Sequence, residues 1–259
     1  MKYAILDGDI VLYKAITGAT EQSNIDWNGE GVDYTQTPDL DLAWRMVQST
    51  VEEWTELTEL DHFIFCLSPR DGSNFRKALL PSYKAQRKPK PEGYWELYEK
   101  TTQEYTVKSA ASLEADDVMG ILLTSPVCRD SVLVSQDKDM NTVPGLHLNP
   151  FKEGEGIREV KWDRAMWFWF YQTLVGDTCD NYKGCPRIGP VKARRLLESD
   201  DHNDWWPAVL KAFLAAGLTF DDALMQARMA RILHASDYDH ASSRINLWHP
   251  EDRSEWTSL

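Results

Sequence analysis

Short apolar runs that each lead into acid constrain this chain more than any other feature. "YAILD" ends at Asp7, "HFIFCLS" leads toward Asp71, and "SVLVSQDKD" runs into Asp137 and Asp139. Each run has the length and the β-branched or aromatic content of a buried strand. Helical patterns separate them. "DLAWRMVQSTVEEWTEL" places Leu42, Met46, Val47, Val51, Trp54 and Leu57 near one face, and "EADDVMGILLT" opens another helix. Strands alternating with helices predict an α/β fold, a largely parallel central sheet flanked by helices. Ligands of such sheets bind beyond the carboxyl ends of the strands, where these acids would collect.

From Trp162 onward the pattern is helical: "WDRAMWFWFYQTLVGD", "VKARRLLES", "NDWWPAVLKAFLAAG" and "FDDALMQARMARILHAS". This predicts an α/β core over residues 1–161 and a helical C-terminal region over 162–259. Two stretches read as loops, the polar "TGATEQSNIDWNGEGVDYTQTPD" and "PSYKAQRKPKPEGY", which Pro81, Pro89 and Pro91 interrupt. A hydrophobic content of 42% with 27% charged residues is that of a globular chain. No apolar run approaches the ~20 residues of a membrane span. "MKYAILDGDIVLYKA" carries aspartates inside its apolar stretch, unlike a signal peptide, so a cytoplasmic protein is expected. The four cysteines show neither CxxC pairing nor histidines at zinc-ligand spacing, and read as reduced structural thiols. A net charge of −13 argues against a general nucleic-acid coat, unless the carboxylates converge on bound cations.

"LEADDVMG" puts Glu114, Asp116 and Asp117 into four residues. Alone, the cluster reads as a helix N-terminus, where acids bond free N–H groups and complement the dipole. Set beside Asp7, Asp71, Asp137, Asp139, Asp177 and Asp180, it implies more negative charge than folding tolerates unpaired. Hard divalent cations are the natural compensation, Mg²⁺ first with Mn²⁺ as its substitute. Two such ions roughly 3.5–4 Å apart can clamp the attacking and leaving oxygens of a displacement at phosphorus. "ILDGDIV" also fits the D-x-D-x-[TV] pattern of haloacid-dehalogenase-type phosphatases, with Asp7 as nucleophile and Asp9 as general acid.

"NFRKALLPSYKAQRKPKPEGYW" concentrates Arg76, Lys77, Lys84, Arg87, Lys88 and Lys90 among aromatics, Tyr83 included, as single-strand binding surfaces do. On a helix, Lys84 and Arg87 would share a face and reach one phosphate. In "GDTCDNYKGCPRIGPVKARRLLE" a turn from Gly184 to Gly189 opens a helix carrying Lys192, Arg194 and Arg195, the form of a helix-hairpin-helix over about 176–198. Its backbone N–H groups could hold a DNA phosphate without reading bases.

In family order, "LDGD", "FRK…YKAQRK", "LEADDVMG", "VSQDKDM" and "GDTCDNYKGCPRIGPVKA" resemble the 5′-nucleases: flap endonucleases, the 5′-nuclease domain of bacterial DNA polymerases and phage 5′→3′ exonucleases. "QARMARILHASDYD" and "INLWHP" are similar to the carboxy-terminal segment of the exonucleases of short-tailed lytic bacteriophages, so the likeness spans nearly the whole chain. The resemblance implies a PIN-like 5′-nuclease core with a helical arch around 75–100. It implies metal ligands at Asp7, Glu114, Asp116, Asp117, Asp137, Asp139, Asp177 and Asp180, with Asp117 acting through water or on the second metal. It makes Lys84 and Arg87 the contacts to the scissile phosphate, Tyr83 a base-stacking residue and Arg76 a phosphate contact. Lys77, Lys88, Gly184, Arg187, Gly189, Lys192 and Arg194 complete the expected DNA surface. Two departures stand out. The family's aspartate directly after the second strand is absent from "FCLSPRDGSNFRK", where Ser68 stands nearest the strand; Asp71 keeps the short spacing to "NFRK" and takes the ligand role. Arg187 occupies a hairpin position where glycine is common.

The implied activity is metal-dependent 5′→3′ DNA exonuclease with flap-specific endonuclease character, leaving 5′-phosphates, in phage DNA replication, primer removal or recombination. Two Mg²⁺ ions, a K⁺ at the hairpin, DNA with a 5′ end or flap, RNA–DNA hybrids, replication proteins and the host-cell cytoplasm are the matching cofactor, partner and location expectations; no membrane is expected. The alternatives are the phosphatase and a DNA-binding module that recognises forks without cutting.

Overall fold

In the computed structural model, which describes residues 2–25 and 33–251, strand β1 (Ala4–Asp7) is buried along its whole length. After it come α1 (Gly8–Gly18), β2 (Thr20–Ile25), β3 (Asp33–Pro38), α2 (Leu40–Leu57) and β4 (Phe63–Cys66). Next are α3 (Phe75–Leu79), α4 (Tyr94–Glu104), β5 (Val107–Lys108), α5 (Ala115–Thr124), β6 (Val132–Val134), β7 (Gly145–Leu148) and β8 (Arg158–Val160). Helices α6 (Trp162–Val175), α7 (Pro190–Leu196), α8 (Trp205–Ala215) and α9 (Phe220–Ala230) follow, then a short antiparallel pair, β9 (Tyr238–Asp239) with β10 (Arg244–Ile245).

Six strands make one sheet in the order β5-β4-β1-β6-β7-β8, parallel throughout except between β7 and β8. The largely parallel sheet expected from the strand–helix alternation is therefore present. Side-chain alternation covers both faces of β1. Ala4 and Leu6 pack with Leu12 of α1, Val47 and Trp54 of α2 and Leu97 of α4, while Ile5 packs with Met119 and Ile121 of α5. The chain leaves β1 for β4 on one side and β6 on the other, which opens a crevice at the carboxyl ends of these strands. Gly8 makes the junction possible: a Cβ there would lie 2.4 Å from the Phe65 ring and 2.5 Å from the Cys66 carbonyl. Asp7 then caps α1, its Oδ1 accepting the Ile10 N–H at 3.2 Å.

The structure corrects several details. The polar segment read as a loop contains an antiparallel hairpin, β2 paired with β3 from Thr20↔Pro38 to Ile25↔Asp33; residues 26–32 between them lie outside the described residues. Polar composition hid it, because two strands that pair with each other need no continuous apolar run. In α2 the buried seam is Ala43, Val47, Val51 and Trp54, whereas Leu42 and Leu57 are exposed. The arch at 75–100 is not one helix. Between α3 and α4 the chain runs through turns and irregular backbone, and Pro81, Pro89 and Pro91 remove the donors a helix needs there. Lys84 has φ +52°, so it and Arg87 share no helix face.

Helices α6 to α9 enclose an aromatic core that includes Trp169, Phe170, Trp206, Phe213 and Trp248. The Trp248 ring meets Trp169 at 4.8 Å and Trp206 at 5.1 Å, both edge-on, the geometry favoured by ring quadrupoles. Beyond α9 the chain returns to α5, where Leu233 N–H donates to Asp117 at 3.2 Å and Ala235 N–H to Thr124 at 2.7 Å. Cys66, Cys128 and Cys185 are buried and Cys179 is exposed, and none of the four is in a disulfide. No described helix is long and apolar enough to cross a membrane.

Candidate active site

A cleft of about 280 Å³ opens at the carboxyl ends of β4, β1 and β6, lined by eight carboxylates against three cationic side chains. Asp7 comes from the end of β1 and Asp9 from the first turn of α1; Glu114 and Asp116 come from the start of α5. Asp137 and Asp139 sit on the 3₁₀ turn after β6, and Asp177 and Asp180 on the loop after α6. The cations are Lys84, Arg87 and Lys138.

Hydrogen bonds fix these groups from below. Ser135 Oγ donates to Asp7 Oδ2 at 2.6 Å and accepts the Asp137 N–H at 3.0 Å, tying β1 to the turn after β6. Asp137 in turn accepts the Asp139 N–H at 2.8 Å, and Asp177 accepts the N–H groups of Cys179 at 2.7 Å and Asp180 at 3.2 Å. Gln172 of α6 donates to Asp139 at 2.5 Å.

The charge is imperfectly balanced, and the proton affinities record it. Burial, reinforced by Asp9 and Asp137, pushes the Asp7 carboxyl up to about 7 despite the Ser135 bond. Burial with Asp7 and Asp137 nearby holds Asp116 well above the carboxylate range, and burial with Asp137 pushes Asp139 up to about 6. Glu114 goes the other way: burial would raise it, but Lys84 and Arg76 hold it at about 2. Burial likewise works against ionised Asp177, and Lys138 overcomes it. Lys84 Nζ contacts Glu114 and lies 3.4 Å from Asp180, and Arg87 pairs with Asp180 at 2.6 Å. Lys138 Nζ lies 2.7 Å from Asp177 and 3.5 Å from Asp139.

Among the described residues, no three acidic, histidine or cysteine side chains stand ready to grip one ion; ammonium groups lie among the carboxylates instead. The donor set nevertheless fits a hard divalent cation. It is all oxygen, it outnumbers its counter-charges, and burial together with acidic neighbours raises the proton affinity of Asp7, Asp116 and Asp139.

Four expected site residues stand elsewhere. Asp71 lies on an exposed turn outside the cleft, where it accepts the Ser73 N–H at 2.9 Å; the chain has turned away three residues after Ser68. Asp117 is fully buried behind the cleft wall, paired by both oxygens with Arg76 at 2.7 Å. Arg76 is 1% exposed and also donates to the Met229 and Arg231 carbonyls, so it is an internal tie and no phosphate reaches it. Tyr83 is 3% exposed, its hydroxyl 2.9 Å from Glu114 and 3.0 Å from Asp180, and its ring belongs to the C-terminal core rather than to a base-stacking face. Lys77 and Lys88 are exposed as a DNA surface requires. The cleft also contains Asp9 and Lys138, and Ser135 supports it; the second acid of "DGD" and the lysine inside "DKD" were the visible traces of the first two.

Beyond Asp180 the loop tightens. Gly176 (φ +73°) and Gly184 (φ +64°) press together so closely that a Cβ on Gly184 would lie 2.4 Å from the Gly176 nitrogen. Arg187 holds the left-handed conformation (φ +62°) in place of a glycine, and Gly189 precedes α7. Between α7 and α8 runs a groove of about 760 Å³ with Arg187, Lys192, Arg195 and Lys211 on its walls and Ala208, Ala212 and Ala215 among its lining. Arg194 is exposed on α7 beside it.

Comparison with known proteins agrees with this architecture. The family model for the 5′-3′ exonuclease, N-terminal resolvase-like domain, matches residues 2–159. The exonuclease of Escherichia phage T7 is 26% identical over 95% of this chain and 93% of its own length. The exodeoxyribonuclease of Enterobacteria phage T3 is 27% identical, covering 95% and 92%. In fold, the chain resembles T5 5′-exonuclease solved with divalent metal ions (zinc) bound, with a TM-score of 0.55, 17% identity, and coverage of 89% of this chain and 93% of that one.

Proposed function

Since the chain belongs to the 5′-3′ exonuclease family defined by that resolvase-like domain, we propose that it is a metal-dependent 5′→3′ DNA exonuclease with flap-endonuclease character, leaving 5′-phosphates. The observation that carries this reading is the carboxylate cleft at the strand ends, where eight acids face three cations and Asp7 and Asp116 have no ion-pair partner among the described residues. Asp7, Asp116, Asp137 and Asp139 would hold divalent metal on the β1–β6 side, and Glu114, Asp177 and Asp180 on the hairpin side. Metal bound there, Mg²⁺ by the chemistry of the donors, supplies activated water and charge neutralisation for phosphodiester hydrolysis.

The chain's own groups do the rest. Lys84, lining the cleft on Glu114, and the more exposed Arg87 on Asp180 are placed to exchange those partners for a phosphate and neutralise charge developing on it. Tyr83 holds Glu114 and Asp180 at a set separation from beneath. The basic groove between α7 and α8 suits the backbone of duplex DNA, with sequence-independent and salt-sensitive binding.

The phosphatase alternative finds no support. That reading gives roles to Asp7 and Asp9 alone and leaves the other six carboxylates lining the cleft without one, whereas a nuclease uses them as metal ligands. A non-cutting DNA-binding module would surround phosphate with eight carboxylates, which repel it unless metal is bound. The test is Asp137→Asn: cleavage of a 5′-flapped duplex should fall by about a thousandfold with DNA binding retained. Near-normal turnover would refute the site.

A further inference from the structure

The sheet edge has a gap that sequence reasoning filled with Asp71, which stands outside the cleft. At the end of β4 the chain offers Ser68, and its hydroxyl is already engaged, accepting the Ala115 N–H at 3.0 Å at the start of α5. The β4 side of the cleft therefore has no carboxylate of its own. One arrives there from α1. Gly8 lets the first turn of α1 lie flush on β4, and Asp9 is thereby carried over the strand's end. Asp9 Oδ1 lies 3.3 Å from the Ser68 amide nitrogen and 3.3 Å from the Tyr94 hydroxyl.

We propose that Asp9 is a metal-holding carboxylate of this site, supplying from α1 the negative charge that β4 does not. The proposal rests on the metal-dependent reading above. Three features of the structure support it. Both hydrogen bonds of Asp9 fall on Oδ1, from a backbone N–H and from Tyr94, whose body is buried against the α1–α2 core. That arrangement orients the carboxylate through one oxygen and leaves Oδ2 for the cleft it lines. Among the described residues no cation pairs with Asp9, whereas Glu114, Asp139, Asp177 and Asp180 each have a lysine or arginine within 4 Å. Asp9 lines the same cleft as Asp7, the carboxylate most enclosed at its floor. A carboxylate held by neutral donors next to a buried one is a hard-oxygen pair that a divalent ion would bridge.

The experiment is a Mn²⁺ titration by calorimetry of the full chain without DNA, on wild type, Asp9→Asn, Asp71→Asn and Tyr94→Phe, with melting temperatures of the metal-free forms. Asn keeps the oxygen that accepts from Ser68 and Tyr94 but loses the charge, so Asp9→Asn should melt at or above the wild-type temperature. Its Mn²⁺ affinity should fall at least tenfold. Asp71→Asn should titrate as wild type, and Tyr94→Phe should lose less affinity than Asp9→Asn. Wild-type affinity in Asp9→Asn, with or without a lower melting temperature, would make Asp9 a structural tie and overturn the proposal. So would an equal loss in Asp71→Asn. Failure of wild type itself to bind Mn²⁺ would overturn the metal-dependent reading, and the role of Asp9 with it; the wild-type titration separates the two failures.

Discussion

Replacing Arg76 with leucine tests the interior of the site wall. The guanidinium is 1% exposed and the Asp117 carboxylate opposite is 0% exposed, joined by two bonds of 2.7 Å. Arg76→Leu strands that carboxylate, which still caps Glu114 and accepts from Leu233, and removes the Arg76 donors from the Met229 and Arg231 carbonyls. Breaking a buried pair from one side costs about 3–5 kcal/mol. For a chain of this size that corresponds to a fall in melting temperature of about 10 °C. The double variant Arg76→Leu/Asp117→Leu should recover part of the loss, because no isolated charge remains; the caps that Asp117 provides stay lost. Thermal unfolding reads the stability, and fluorescence anisotropy with a flapped duplex, well below the transition, reads binding. A variant that melts like wild type yet binds DNA tenfold more weakly would refute the reasoning and return Arg76 to the DNA surface.

Stability of the metal-free protein should depend on pH with an unusual sign. Asp7 is raised to about 7 and Asp139 to about 6, so the folded state holds protons the unfolded state has released, and stability falls as pH rises through that range. Glu114 and Asp177, both lowered, act only in acid, and His147, pushed by burial down to about 4, destabilises the fold only as pH falls through the ordinary histidine range. Comparing about pH 6.5 with about pH 8.5 reads mainly the first effect, on the order of 1 kcal/mol in favour of the lower pH, from which His147, half protonated in the unfolded chain at about pH 6.5, subtracts about 0.4 kcal/mol; divalent metal should diminish it. Equal or greater metal-free stability at the higher pH contradicts the charge description. On the groove, Lys192→Ala and Lys211→Ala should each reduce the slope of log affinity against log salt by about 0.9 for duplex DNA; unchanged slopes remove the groove from the interface.

The carboxyl-terminal edge of the sheet was legible because strands covered on both faces must be continuous apolar runs, and β1, β4 and β6 are. The acids at the ends of β1 and β6, and Glu114 and Asp116 of the cluster opening α5, fell into the cleft as their spacing implied. Asp71 did not, because periodicity locates a strand end but says nothing about which way an irregular turn leaves it. Arg76, Tyr83 and Asp117 were misplaced for a different reason: a charged or polar residue is usually exposed, and only the tertiary partners reveal that these are paired inside. Asp9 was visible within "DGD", yet its position over β4 depends on the close approach that Gly8 permits. The hairpin of β2 and β3 escaped notice because its strands pair without an apolar signature.

The central claim is that the carboxylate cleft hydrolyses DNA from a 5′ end with the help of divalent metal. Digestion of one duplex labelled separately at its 5′ and 3′ ends, in Mg²⁺ and in chelator, tests polarity and metal dependence together. The 5′ label should be released early and only in Mg²⁺, with newly formed ends carrying 5′-phosphate. Early loss of the 3′ label, or cutting that persists in chelator, would contradict the account.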